Sequence, residues 1–140
     1  MSQQSDCCSS SRTLIVMSCS GGSNVGQITN EVAKRLSLAG KAKFFCLAGI
    51  GGKISGMIAS VKGADSKIVL DGCPVACAKK CMENAGIENY DYLVVTELGI
   101  AKKSLRDLPE SDIDACMEEC LKIVGKKSCE PASDSKGCCG

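Results

Sequence analysis

The residues of this chain best suited to chemistry are its cysteines, twelve among 140 residues, and there is no histidine. Without histidine the usual general base is missing, and the Ser–His and Cys–His nucleophile pairs go with it. Thiolates are good ligands for soft ions, and zinc takes four of them in a tetrahedron at about 2.3 Å. Cysteine at this density fits either a secreted disulfide scaffold or an intracellular thiol or metal protein. The segment Met1-Ser2-Gln3-Gln4-Ser5-Asp6-Cys7-Cys8 is polar and has no apolar signal core. No stretch approaches the roughly 20 apolar residues of a membrane span. The expectation is a cytoplasmic protein of the second kind.

The elements that must position these cysteines follow from the apolar pattern. Thr13–Met17, Ala42–Leu47, Lys67–Leu70 and Tyr92–Val95 are short apolar runs, as strands covered on both faces would be. Between the first two lies a helix with Val25, Ile28, Val32 and Leu36 on one face, Asn24 as N-cap and Gly40 as its stop. Residues 54–61 form a short helix. Another starts at Cys73, with Pro74 in its first position, and ends at Gly86. The last runs from about Glu110 to Val124, with Ile113, Met117, Leu121 and Val124 as its stripe. Strands alternating with helices predict a three-layer, Rossmann-like α/β fold. Its sheet is four-stranded and mostly parallel, in the order 2-1-3-4, with helices on both faces. The folded domain is residues 12–125. Residues 1–11 and 126–140 read as disordered, cysteine-rich tails.

In such sheets ligands bind beyond the carboxyl ends of the strands. Cys19 directly follows strand one, Cys46 ends strand two, and Cys73 follows strand three with Cys77 a helical turn further on. Three strands thus deliver cysteine to one edge. Helix N-termini nearby would offset part of the negative charge of a zinc–thiolate centre. Cys81 extends the series, but about 12 Å of helix axis separates it from Cys73, too far for one ion to use Cys73, Cys77 and Cys81 together. The ligand set expected is therefore Cys19, Cys46, Cys73 and Cys77. Cys81 falls nearby or in the core. Cys116 and Cys120 lie on the apolar side of the last helix and read as core filler. The adjacent pairs Cys7-Cys8 and Cys138-Cys139 can chelate soft ions or stay inert. Cys129 has no assigned role.

Two glycine runs share this edge, Gly21–Gly26 and Gly49–Gly52. The first is neither a Walker loop nor G-x-G-x-x-G, so nucleotide binding has little support. No arginine follows Cys19 as a phosphatase or arsenate-reductase loop would require. The glycines are expected to let the backbone pass closely around the ligands. Asp71 reads as turn chemistry before Gly72 or as an acceptor behind the metal, and Glu97 as a spare oxygen ligand. A net charge of +1, with two Phe, two Tyr and no Trp, argues against a nucleic-acid or anionic-membrane partner.

Three functions fit these residues. The first is soft-metal binding, zinc foremost, for storage, delivery or sensing. The second is a thiol redox enzyme using Cys19 or Cys73. The third is an iron–sulfur protein, since four cysteines also hold clusters.

Asp71-Gly72-Cys73-Pro74 with Cys77, Cys19-Ser20-Gly21 followed by Gln27, and Cys46-Leu47-Ala48-Gly49-Ile50-Gly51-Gly52 resemble the motifs of the DGC-domain family of zinc-binding proteins. The resemblance spans roughly residues 13–124. It implies metal-binding cysteines at Cys19, Cys46, Cys73 and Cys77. Family members often have a further cysteine, in Cys-Ser-Gly-Cys; this chain has Gly22 there, so that position supplies no ligand.

Overall fold

The computed structural model describes residues 12–129. Four parallel strands form its sheet: β1 Leu14–Ser18, β2 Lys43–Phe44, β3 Ser66–Asp71 and β4 Asp91–Val94. Their order is β2-β1-β3-β4, with Val16 opposite Phe44 on one side and Ile68 on the other. Five α-helices connect and cover them: α1 Asn24–Leu38, α2 Leu47–Gly51, α3 Ser55–Lys62, α4 Cys77–Asn84 and α5 Glu110–Cys129.

Strand alternation divides the core into two layers. Val16, Ile68 and Leu70 face α1 and α5, where Val25, Ile28, Val32, Leu36, Ile113 and Cys120 are buried. Ile15, Met17 and Val69 face the other way, against Ile50, Val61, Ala78 and Met82 of α2, α3 and α4. The three-layer arrangement and strand order match the expectation.

Several local boundaries differ from the sequence reading. The second strand has two residues where six were expected. After Phe45 donates to the Val16 carbonyl, the chain leaves the sheet. The glycine run then winds into α2, because Ile50 gains full burial there (1% exposed). Ser23, not Asn24, caps α1, accepting from Gly26 N at 3.2 Å. On α5, Leu121 is exposed, and the buried stripe runs through Ile113, Cys116 and Cys120. This helix continues past Val124 to Cys129, so residues 126–129, assigned to the tail, extend it. The expectations for residues 1–11 and 130–140, with Cys7, Cys8, Cys138 and Cys139, lie outside the described residues.

The start of α4 is the correction that matters for the site. Cys73 and Pro74 precede the helix, in a turn where Ala76 N donates to Cys73 O at 3.1 Å. Ala76 is left-handed (φ 58°), which breaks the helical path before Cys77. The cap comes from further back: the Asp71 carboxylate accepts from Ala78 N at 2.8 Å and Lys79 N at 3.0 Å. A carboxylate there complements the helix dipole and satisfies two of the free N–H groups. Asp71 also accepts from the Tyr92 hydroxyl at 2.8 Å.

Candidate metal centre

All four strands point the same way, so their carboxyl ends share one edge. Cys19 follows β1 by one residue, and Cys46 and Cys73 follow β2 and β3 by two. The strand order turns around between β1 and β3, and this is the crevice where open α/β sheets bind ligands. Cys19 and Cys73 flank it.

The loop carrying Cys19 is built by the first turns of α1. Gln27 Nε2 donates to Ser20 O at 3.2 Å and Gly21 O at 2.9 Å. The buried Thr29 hydroxyl donates to Gly26 O at 2.6 Å and accepts from Ser20 N at 3.4 Å. The same oxygen lies 3.6 Å from Cys19 Sγ. With the Thr29 proton committed to Gly26, its oxygen is placed to accept from the thiol.

Two glycines let the β1 and β3 loops touch. A Cβ on Gly72 would stand 2.7 Å from Gly26 N and from Val25 C. One on Gly26 would stand 2.5 Å from Gly21 O. Backbone fills both places, so no side chain fits. Gly26 thus shows the close backbone passage expected of the first glycine run; Gly72 lay outside that expectation.

A loop far along the chain reaches the other side of Cys73. Lys102 Nζ donates to Cys73 Sγ at 3.4 Å. Its neighbours are pinned by Asn24: Nδ2 donates to Ala101 O at 2.9 Å, and Oδ1 accepts from Lys103 N at 2.6 Å.

Cys46 is exposed and precedes α2, and Cys77 is exposed as the first residue of α4. Cys81 is half-buried one turn on. Burial pushes its thiol up from the usual value, and its neighbours Cys77 and Asp71 push the same way. Two cavities adjoin at this edge. One, of about 590 Å³, has Cys46 and Cys81 in its wall; the other, of about 280 Å³, has Cys73 and Lys102. Cys19 and Cys77 line both.

The edge therefore carries the four expected ligands, Cys19, Cys46, Cys73 and Cys77, and adds Cys81, which lines the larger cavity and is not core. It does not gather them into a finished shell. Among the described residues, no three Cys, Asp or Glu side chains come close enough to hold a metal ion as they stand. Asp71 is engaged by the α4 N–H groups and by Tyr92. Glu97 is exposed on the 3-10 turn Val95–Leu98 and lines neither cavity. Cys116 and Cys120 are fully buried in the core beside α1, as filler would be. The hydrogen bond to Cys116, with burial, pushes the Cys120 thiol up.

Sequence reasoning missed Thr29 and Lys102, and gave Asn24 the cap that Ser23 supplies in place of its bonds to Ala101 and Lys103. A polar residue in the buried stripe of α1 was the available signal for Thr29. Lys102 stands 29 positions from Cys73, in a loop without periodicity, and had none.

A parallel α/β sheet with cysteines after three strands and the Asp71-Gly72-Cys73-Pro74 turn defines a class of small cysteine-edged domains. The family model of the DGC domain matches residues 15–120, and the chain belongs to that family. It is similar to the anaerobic and virulence modulator AnvM of Pseudomonas aeruginosa. The two are 32% identical over 119 residues, covering 83% of this chain and 91% of that protein. No solved structure gives a significant match. Among the described residues, no helix is long and apolar enough to cross a membrane.

Proposed function

We propose that this chain binds a soft metal ion, zinc in the first instance, through Cys19, Cys46, Cys73 and Cys77. One observation carries the reading: Cys19 and Cys77 stand in the wall between the two cavities, with Cys46 facing one and Cys73 the other. An ion drawn to the shared pair finds a further thiol on either side. Metal binding would pull the sulfurs inward and release their protons. Cys73 sits in a turn ahead of α4, outside any helix. A domain with two buried core layers is large enough to fold without the ion, and storage, delivery or sensing is the use proposed for it.

The test is metal content by elemental mass spectrometry on protein purified without a metal-affinity tag, wild type beside Cys73→Ser. The expected result is about one zinc per chain, lost in the variant. A brown protein containing iron would instead indicate a cluster.

A second reading rests on Lys102. An ammonium against a sulfur is the setting reactive cysteines use, and it favours Cys73 as nucleophile in a thiol redox enzyme. No metal in either protein, with rapid alkylation of Cys19 and Cys73 at neutral pH, would replace the metal reading with this one.

A further inference from the structure

The larger cavity is oversized for a bare ion, which its cysteines could hold while most of the chamber stayed unfilled. At about 590 Å³ it falls in the range of small-molecule sites, roughly 300–1,000 Å³. Phe44, Phe45, Leu47 and Ala48 line one part, and no Asp, Glu, Lys or Arg lines any of it. An ion held by the cysteines in this wall would leave Phe44, Phe45, Leu47 and Ala48 unused, because an apolar surface replaces none of the water an ion loses. An uncharged organic group would gain by leaving water.

The thiols in the same wall specify what that group must carry. Cys77 and Cys81 lie one helical turn apart on α4, and residues at this spacing are neighbours on one face, about 5–6 Å apart at Cβ. Gly51 of α2 lies against Cys81, where a Cβ would stand only 3.2 Å from the sulfur, and both residues line the cavity. Two adjacent thiols beside an apolar chamber suit a thiophilic centre with two open valences and one apolar substituent. A centre with one open valence would leave the second thiol unused. One with three would have no organic group for the chamber.

We propose that Cys77 and Cys81 form a dithiol site for a trivalent organoarsenical, whose apolar substituent occupies the cavity beside Phe44 and Phe45. The step involves no redox change. R–As(OH)₂ and two thiols form two As–S bonds and break two As–O bonds. Each thiol proton leaves with an arsenic-bound hydroxide as water, and arsenic stays trivalent. The inference rests on the soft-metal reading in sharing Cys77, but adds Cys81 and a ligand class that zinc binding does not require.

The experiment titrates the reduced full-length chain, with Cys7, Cys8, Cys129, Cys138 and Cys139 replaced by serine, with phenylarsonous acid and with methylarsonous acid. Intact-mass spectrometry reads the adduct, and competition with a small dithiol reads affinity. The expected result is one arsenical per chain, with the phenyl compound at least about tenfold tighter because a ring buries more apolar surface than a methyl group. Cys81→Ser should lose the adduct while keeping its zinc, and circular dichroism should show it folded. Ala48→Trp, at an exposed position of the wall, keeps both thiols and should abolish the phenyl preference by filling the chamber. Equal affinity for the two arsenicals, or an adduct that survives Cys81→Ser, overturns this inference and leaves zinc binding standing. Absence of zinc from wild type overturns the metal reading and leaves the arsenical result to stand by itself.

Discussion

Asn24 and Lys103 are joined in both directions: Asn24 N donates to Lys103 O at 3.1 Å, and Lys103 N donates to Asn24 Oδ1 at 2.6 Å. With Asn24 Nδ2 on Ala101 O, a single buried side chain fixes the segment that holds Lys102 over Cys73. Leaving two part-buried backbone groups, Ala101 O and Lys103 N, without partners costs at most about 1–3 kcal/mol each, less where water reaches them. Asn24→Ala should therefore lower unfolding free energy by about 2 kcal/mol in urea titrations. Asn24→Asp keeps the acceptor for Lys103 N and should lose about half as much. Equal losses in both variants would mean that the Lys103 bond contributes nothing.

The glycines at the β1–β3 junction divide into those that can take a side chain and those that cannot. Gly72→Ala would set a methyl group 2.7 Å from backbone atoms of Val25 and Gly26. Backbone yields less readily than a side chain, and overpacking of this kind costs about 1–3 kcal/mol or more. Gly22→Ala meets nothing within 4 Å. Thermal unfolding should show Gly72→Ala melting several degrees below wild type, by about 4 °C per kcal/mol for a domain between the small and large size classes. Gly22→Ala should stay close to wild type. A neutral Gly72→Ala would show that the two loops separate at little cost.

Strand order and the shared edge were legible because they depend on short apolar runs and on the handedness of crossovers, both written locally. Cys19, Cys46 and Cys73 could be placed without any knowledge of contacts. What escaped depends on distant partners. The start of α4 looked like Cys73-Pro74, since proline favours a first helical turn. The observed start is set by Asp71, whose carboxylate reaches across the turn to Ala78 and Lys79. A glycine run has poor helix propensity, so α2 gave no local sign; burial of Ile50 overrides the propensity. Cys81 read as a candidate for the core because apolar spacing cannot distinguish a buried wall from the wall of a cavity.

Thr29 offers a way to separate holding a ligand from building the fold. Its hydroxyl touches Ser20 N, Gly26 O and Cys19 Sγ. Groups that orient a metal ligand typically alter affinity about 10–100-fold when removed. On the proposed metal reading zinc displaces the Cys19 proton, and the Thr29 hydroxyl must turn from Gly26 O to donate to the thiolate; Thr29→Val removes that donor and should weaken zinc about tenfold in competition with a chromophoric chelator. Thr29→Ser, which retains the oxygen, should restore it. If valine lowers stability but leaves zinc affinity intact, Thr29 supports the loop alone.

Tyr92 gives the protein a pH dependence with a defined sign. Burial comes first in holding its phenol above the usual tyrosine value, followed by the hydrogen bond to Asp71 and that residue's charge. The neutral phenol is thus favoured more in the folded chain than in the unfolded one, which ionises near pH 10. Below that pH the contribution of Tyr92 is fully present. As pH rises, the unfolded state gives up its proton first, so stability falls until the folded phenol also ionises. Tyr92→Phe removes the bond and should cost about 1 kcal/mol at neutral pH, a modest figure because the pair is partly exposed. The gap between wild type and Tyr92→Phe should hold steady from about pH 7 to 9 and close above about pH 10. Tyr90 is present in both proteins, so its own upward shift cancels in the comparison. Urea unfolding of the two proteins under reducing conditions measures the gap directly. A gap that widens with pH would reverse the sign argued for Tyr92.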